Sequence, residues 1–144
     1  AEVELEESDF TSLPDYNRLI ASVSGTMRLT HGANGSEKLV LPRSTVYAFD
    51  GGIQTHCVGK ARDLNLMLRK GAAEGELVFV DSGTELDLEP AANETMLLFE
   101  LESGNAALCA GGNARLRCTA NGQCALFTVR LVGEAIPDSD NRNG

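Results

Sequence analysis

Asp63, Asn65 and Arg69 fall at alternate positions of Asp63-Leu64-Asn65-Leu66-Met67-Leu68-Arg69, so in an extended strand they share a face with Met67, while Leu64, Leu66 and Leu68 share the other. One face is then expected to pack and the other to stay wet. The chemistry of the polar face is that of a small-ligand site. Arg69 can clamp a carboxylate with two parallel hydrogen bonds, Asn65 both donates and accepts, and Asp63 can orient either neighbour. A purely structural role competes, in which Asp63 and Arg69 form a solvated ion pair worth little and His56 is a satisfied sheet histidine.

Upstream, Gln54-Thr55-His56-Cys57-Val58 reads as a second strand, with Gly59-Lys60-Ala61-Arg62 as a four-residue hairpin loop between the two. That hairpin sets Val58 opposite Asp63, His56 opposite Asn65 and Gln54 opposite Met67. Gln54, His56, Asp63, Asn65 and Arg69 then gather on one surface; a slip of one residue turns His56 to the leucine face.

The four cysteines are Cys57, Cys109, Cys118 and Cys124, and none forms the CxxC spacing of a structural zinc site. Cys118 and Cys124 flank Asn121-Gly122. A three-residue loop there would set them opposite each other and a two-residue turn would offset them; the favoured reading is buried free thiols. Cys57 beside His56 makes a poor nucleophile and base pair, because adjacent strand residues face opposite ways.

The elements that must position these groups are short strands ended by turn residues, so the fold class is all-β, a barrel or sandwich with little helix. Strands are expected over residues 18–23, 27–31, 38–41, 46–49, 54–58, 63–68, 76–80, 84–88, 95–102, 106–109, 114–119 and 124–131, separated by segments such as Asp50-Gly51-Gly52 and Asp81-Ser82-Gly83. The 144 residues suit one domain over 1–135, with two similar β-halves meeting near Gly71 to Gly75 and a polar, mobile tail over 136–144. A net charge of -9 without a basic stripe argues against nucleic acid as a partner. No run approaches the roughly 20 apolar residues of a membrane span, and the acidic start is unlike a secretory signal, so a cytoplasmic location is expected.

Phe10-Thr11-Ser12-Leu13-Pro14-Asp15-Tyr16-Asn17-Arg18, then Gly25, the Phe49-Asp50-Gly51 turn, and Asp63-Leu64-Asn65-Leu66-Met67 with Arg69-Lys70-Gly71 resemble the HutD/Ves family of the cupin superfamily. They match its F-S-x-x-P-G-x-x-R opening, its F-x-G-D-like turn and its D-x-N-L-M-x-R-x-G signature, with Asp15 where the family has Gly. The likeness covers residues 1–71 well and thins afterwards. It implies a cupin-like β-barrel or sandwich of the bicupin type, with a polar pocket between sheets. Family members usually carry an upstream Trp-x-x-Gly-Gly-x-Thr-like segment that this chain, starting at Ala1, does not show; if such a segment contributes strands or pocket wall, a site drawn from these residues is incomplete. Metal cupins resemble one another in a His-x-His pair, a Glu and a later His. Here Val58 stands where a pair begun at His56 needs its second imidazole, and His31 lies in a loop-like Thr30-His31-Gly32-Ala33 setting, so neither metal nor other cofactor is expected.

Three functions compete. The leading one is a metal-independent, regulatory protein that binds a small polar metabolite, a carboxylate or amide, through His56, Asp63, Asn65, Arg69, Gln54 and Arg18. Arg18 enters because it follows the Pro14 turn and opens the apolar strand Leu19-Ile20-Ala21-Ser22-Val23; pinning the loop before it is its structural alternative. The resemblance leaves open a role in histidine utilisation, as in HutD, or a stress-associated one, as in Ves. The second function is a metal-free isomerase or lyase with His56 as general base oriented by Asp63. The third is an interaction module that pairs as a homodimer through a sheet edge or face.

Overall fold

The computed structural model describes residues 2–3, 7–32, 37–112 and 114–132. Among them every regular element is a strand: β1 (Glu2–Val3), β2 (Glu7–Asp9), β3 (Tyr16–Ser24), β4 (Met27–His31), β5 (Glu37–Leu41), β6 (Val46–Asp50), β7 (Thr55–Val58), β8 (Ala61–Arg69), β9 (Ala73–Val80), β10 (Glu85–Leu88), β11 (Glu94–Glu100), β12 (Ala106–Ala110), β13 (Leu116–Thr119) and β14 (Cys124–Leu131). The strands from β3 onward coincide with the expected runs, their ends moved by a few residues. β1 and β2 are too short and acidic to show an apolar alternation. No helix of the described residues is long and apolar enough to cross a membrane. The tail expected over 136–144 lies outside the described residues.

The chain divides into two compact units, Ala1–Leu68 and Arg69–Gly144. In the first, one sheet has the order β1-β8-β3-β6 and the other β2-β7-β4-β5. The core draws Ile20, Phe49 and Ala61 from the first sheet and Met27, Leu29, Leu41 and Cys57 from the second, so it lies between them. Each fully buried large side chain there contributes roughly 1.5–3 kcal/mol. In the second unit, β12-β11-β14-β9 form one sheet and β10-β13 another, around Val80, Ala120 and Cys124 with Leu86, Leu98 and Leu126.

The expected hairpin of residues 54–58 with 63–68 does not form, because β7 and β8 belong to different sheets. Two corners explain this. The link at Gly25 carries the chain from β3 in the first sheet to β4 in the second, and the link at Gly59 carries it back from β7 to β8. Both glycines have positive φ, 81° and 122°. A Cβ on Gly25 would stand 2.4 Å from the Lys60 carbonyl oxygen, and one on Gly59 the same distance from that of Thr26. The corners therefore pack backbone on backbone, which only glycine permits. At so tight a corner the chain leaves its sheet instead of folding back along it.

The two faces of β8 are also inverted relative to the sequence expectation around Asp63. Ala61 and Asp63 are buried on the core side while Leu64 and Leu66 are only half-buried; at the end of the strand the expectation holds, with Leu68 buried and Met67 and Arg69 exposed. Cys118 and Cys124, in β13 and β14, also belong to different sheets, so neither loop geometry considered for them arises. Both are free thiols; Cys124 is buried, whereas Cys118 is half-buried, against the expectation of burial for both.

Candidate functional site

Five of the six buried polar side chains described, Arg18, Ser22, His31, Thr55 and Asp63, belong to the first unit; Thr128 belongs to the second. Burying a polar group costs free energy unless it is paired, so such a concentration marks where the fold spends stability on something other than packing. Ser22 is explained by the Gly25 corner, since its hydroxyl donates to the Gly25 carbonyl oxygen at 2.6 Å. The other four form two groups on either side of Phe49.

The first group is Arg18, Asn65 and Asp63. Arg18, on β3, faces the core with Ile20 and pairs across the sheet with Phe49 of β6. Its guanidinium carbon lies 5.0 Å from the Phe10 ring centre and 5.4 Å from that of Phe49, so it sits between two aromatic faces that attract a cation. Arg18 Nη2 donates to Asn65 Oδ1 at 2.9 Å, and Asn65 Nδ2 donates to Asp63 Oδ2. This chain of bonds fixes the Asn65 amide, since a flip would set donor against donor and acceptor against acceptor. Arg18 Nε is buried and makes no hydrogen bond among the described residues.

Burial pulls the Arg18 pKa below its ordinary value, opposed by the Asp63 charge. Burial likewise pushes the Asp63 carboxyl up, opposed in part by Arg18. An ion pair in water would move both the other way. Desolvation therefore outweighs mutual attraction here, and the pair is a cost that the surrounding packing carries.

The second group is His31, Tyr47 and Thr55. Thr55 Oγ1 gives its proton to the Ile53 carbonyl oxygen at 3.0 Å and so must accept from His31 Nδ1–H at 2.9 Å. His31 Nε2 then accepts the Tyr47 hydroxyl at 2.6 Å, which assigns the Nδ1–H tautomer. Burial and the Glu37 charge raise the Tyr47 pKa, so the hydroxyl stays protonated. The His31, Tyr47 and Phe49 rings lie 5.2 to 5.7 Å apart, and Phe49 is thus the wall between this group and Arg18. The sequence expectation has His31 both at the end of a strand and in a loop-like setting, and singles out neither Tyr47 nor Thr55. The signal was present: Met27, Leu29 and His31 alternate on one strand face, as do Tyr47 and Phe49.

Of the residues expected to form the site, the structure unites Arg18, Asp63 and Asn65 and separates the rest. Gln54 is exposed and precedes β7; its carbonyl oxygen accepts Gly32 N–H at 2.9 Å. Arg69 is exposed at the far end of β8. His56 is on the opposite side of its strand from buried Thr55 and Cys57 and pairs with Asp9 of β2, not with Asn65. Its Nδ1 lies 2.7 Å from Asp9 Oδ1 and its Nε2 3.1 Å from Glu7 Oε2. With its side chain 37% exposed, His56 does not occupy a water-poor cleft.

The bonds to Asp9 and then Glu7 raise the His56 pKa. Only the imidazolium donates from both nitrogens, so protonation ties β2 to β7. Because the folded value exceeds the unfolded value of about 6.5, the stabilisation is fully present below that pH and disappears as pH rises through the folded pKa. Urea midpoints of the wild type are expected to fall across that interval, and those of His56→Gln to stay level. Parallel pH profiles for the two proteins would refute the clamp.

The HutD family model matches residues 1–130. Among solved structures, HutD from Pseudomonas fluorescens is 25% identical with a TM-score of 0.70, covering 89% of this chain and 75% of that one. A conserved protein of unknown function from Pseudomonas aeruginosa is 27% identical with a TM-score of 0.68, covering 90% and 79%. AerE from Microcystis aeruginosa, 11% identical with a TM-score of 0.53 and covering 89% and 84%, shares the fold alone. No curated protein matches by sequence. The all-β class read from the residues, and the cupin-like sandwich that the resemblance implies, agree with the fold of these structures, and the family match extends well past the signature motifs of the first 71 residues. The chain belongs to the HutD family.

Proposed function

We propose that the first unit binds a small carboxylate or its amide at Arg18, as a metal-independent, regulatory protein with the two units forming a bicupin. The observation that carries this reading is the Arg18 guanidinium: 5% exposed, flanked by Phe10 and Phe49, with a buried Nε–H that has no acceptor among the described residues. A buried donor left unmet costs about 1–3 kcal/mol, which an acceptor from a ligand recovers. Guanidinium and carboxylate fit as a planar fork. Asn65 holds that fork in orientation and is itself held by Asp63. Free thiols at all four cysteines suit a cytoplasmic setting. The position of His56, outside the core and held by two carboxylates, gives no support to its use as a general base.

Both tyrosines, Tyr16 and Tyr47, lie in the first unit and the chain has no tryptophan, so tyrosine fluorescence follows that unit alone. A panel of small carboxylates and amides is expected to raise its melting temperature, by the equivalent of about 2.7 kcal/mol at a hundredfold excess over Kd. Arg18→Lys keeps the charge but not the fork and loses the shift; His56→Gln retains it. Equal shifts in the wild type and Arg18→Lys, or no shift with any member of the panel, would overturn the assignment.

A further inference from the structure

The second unit has an open-sided cavity of about 210 Å³ whose wall includes Leu98, Ala107, Leu116, Cys118, Cys124 and Glu100. It draws on β11, β12, β13 and β14, and all its lining residues belong to the one unit. Leu98 and Glu100 alternate on β11, so both point to the face that meets the core. Glu100 stands directly across from Cys124, a buried residue of the same core. The lining is therefore apolar over most of its area and carries one carboxylate at its end.

We propose that this cavity binds a small organic cation with an apolar body, a primary amine on an aryl or short alkyl group. Size supports the body: a cavity of roughly 150 Å³ accepts benzene, and the additional space here takes a short chain. Charge supports the head. The Glu100 carboxylate accepts the Ser103 hydroxyl through Oε1, which holds it in place, and a carboxylate has acceptor sites to spare. Its field reaches into the cavity, since Glu100 adds to the burial that raises the Cys124 thiol pKa. The net charge of -9 draws cations to the molecule and opposes anions. This site is independent of the Arg18 site, which selects the opposite charge.

Calorimetric titration of the whole chain with phenethylamine, phenethyl alcohol and phenylacetate tests it. The amine is expected to bind about tenfold or more tightly than the isosteric alcohol, as a charge-assisted hydrogen bond requires, and phenylacetate, titrated into Arg18→Lys so that the carboxylate site does not contribute, more weakly than either. Glu100→Gln should lower the amine to the level of the alcohol while leaving the alcohol unchanged, which also shows that the cavity survives. Ala107→Phe fills the space and should abolish binding of both. Half-buried Cys118 lines the cavity while the other three cysteines are buried, so the amine should also slow its alkylation by N-ethylmaleimide. Equal affinity for amine and alcohol, amine binding undiminished in Glu100→Gln or Ala107→Phe, or no binding at millimolar concentration would each overturn the proposal.

Discussion

Arg18→Met is expected to destabilise the first unit by about 3–5 kcal/mol, the cost of leaving one member of a buried charge pair without the other. Arg18 is 5% exposed and Asp63 3% exposed, with Asn65 hydrogen-bonded to both. Removing the guanidinium deletes one of the interactions that oppose the upward shift of the Asp63 carboxyl by burial. That carboxyl then takes up a proton more readily. A group whose folded pKa is raised stabilises most below its unfolded value, near 3.8, and loses that stabilisation as pH climbs through the folded one. In Arg18→Met this window extends to higher pH, so the variant should lose more stability at neutral than at mildly acidic pH. Urea unfolding followed by tyrosine fluorescence measures both effects. The double variant Arg18→Met with Asp63→Asn should recover at least half of the loss, because it removes the buried charge as well as its partner. A loss below about 1 kcal/mol in the single variant, or no recovery in the double, would show that the two charges are not coupled.

Gly25→Ala is expected to cost about 2–5 kcal/mol in the same measurement. Its φ of 81° is strained for a residue with a side chain, at about 1–2 kcal/mol. The larger obstacle is the Lys60 carbonyl oxygen, 2.4 Å from the site of the new Cβ, because it belongs to backbone and cannot rotate away. Gly71, with a similar φ of 77°, has no atom within 4 Å of that site, so alanine there meets only the backbone strain. With unfolding followed by circular dichroism, which reads the strands of both units, a Gly25→Ala cost no greater than that of Gly71→Ala would refute the packed-corner account. A large cost joined to retained carboxylate binding is not expected, since the corner sets β3 and β8, which bear Arg18 and Asn65.

These two positions show how far local pattern reaches. Alternation along β8 correctly grouped Asp63 with Asn65, since a strand's side chains take opposite sides whatever the strand pairs with. The same rule puts His31 with Met27 and Leu29, and Tyr47 with Phe49, although the aspect of those strands facing inward is not a local property. Reading leucines as the buried side failed at Asp63 because that residue is placed by Arg18, 45 positions away, rather than by its own hydropathy. The hairpin of His56 with Asn65 failed because a short glycine link is compatible with either a turn within a sheet or a corner between sheets.

By itself the sequence determined the strands from β3 onward, the all-β class and the family, because alternation, turn residues and the Arg18, Gly25 and Asp63 motifs are local features. Tertiary structure decided which strands are neighbours and which side of each faces the core. Strand pairing is a choice among many partners of similar local energy, settled by the contact of Gly25 with Lys60 and of Gly59 with Thr26 and by a core shared between two sheets. That choice moved His56 out of the expected site and brought Arg18, Asn65 and Asp63 together beside Phe49.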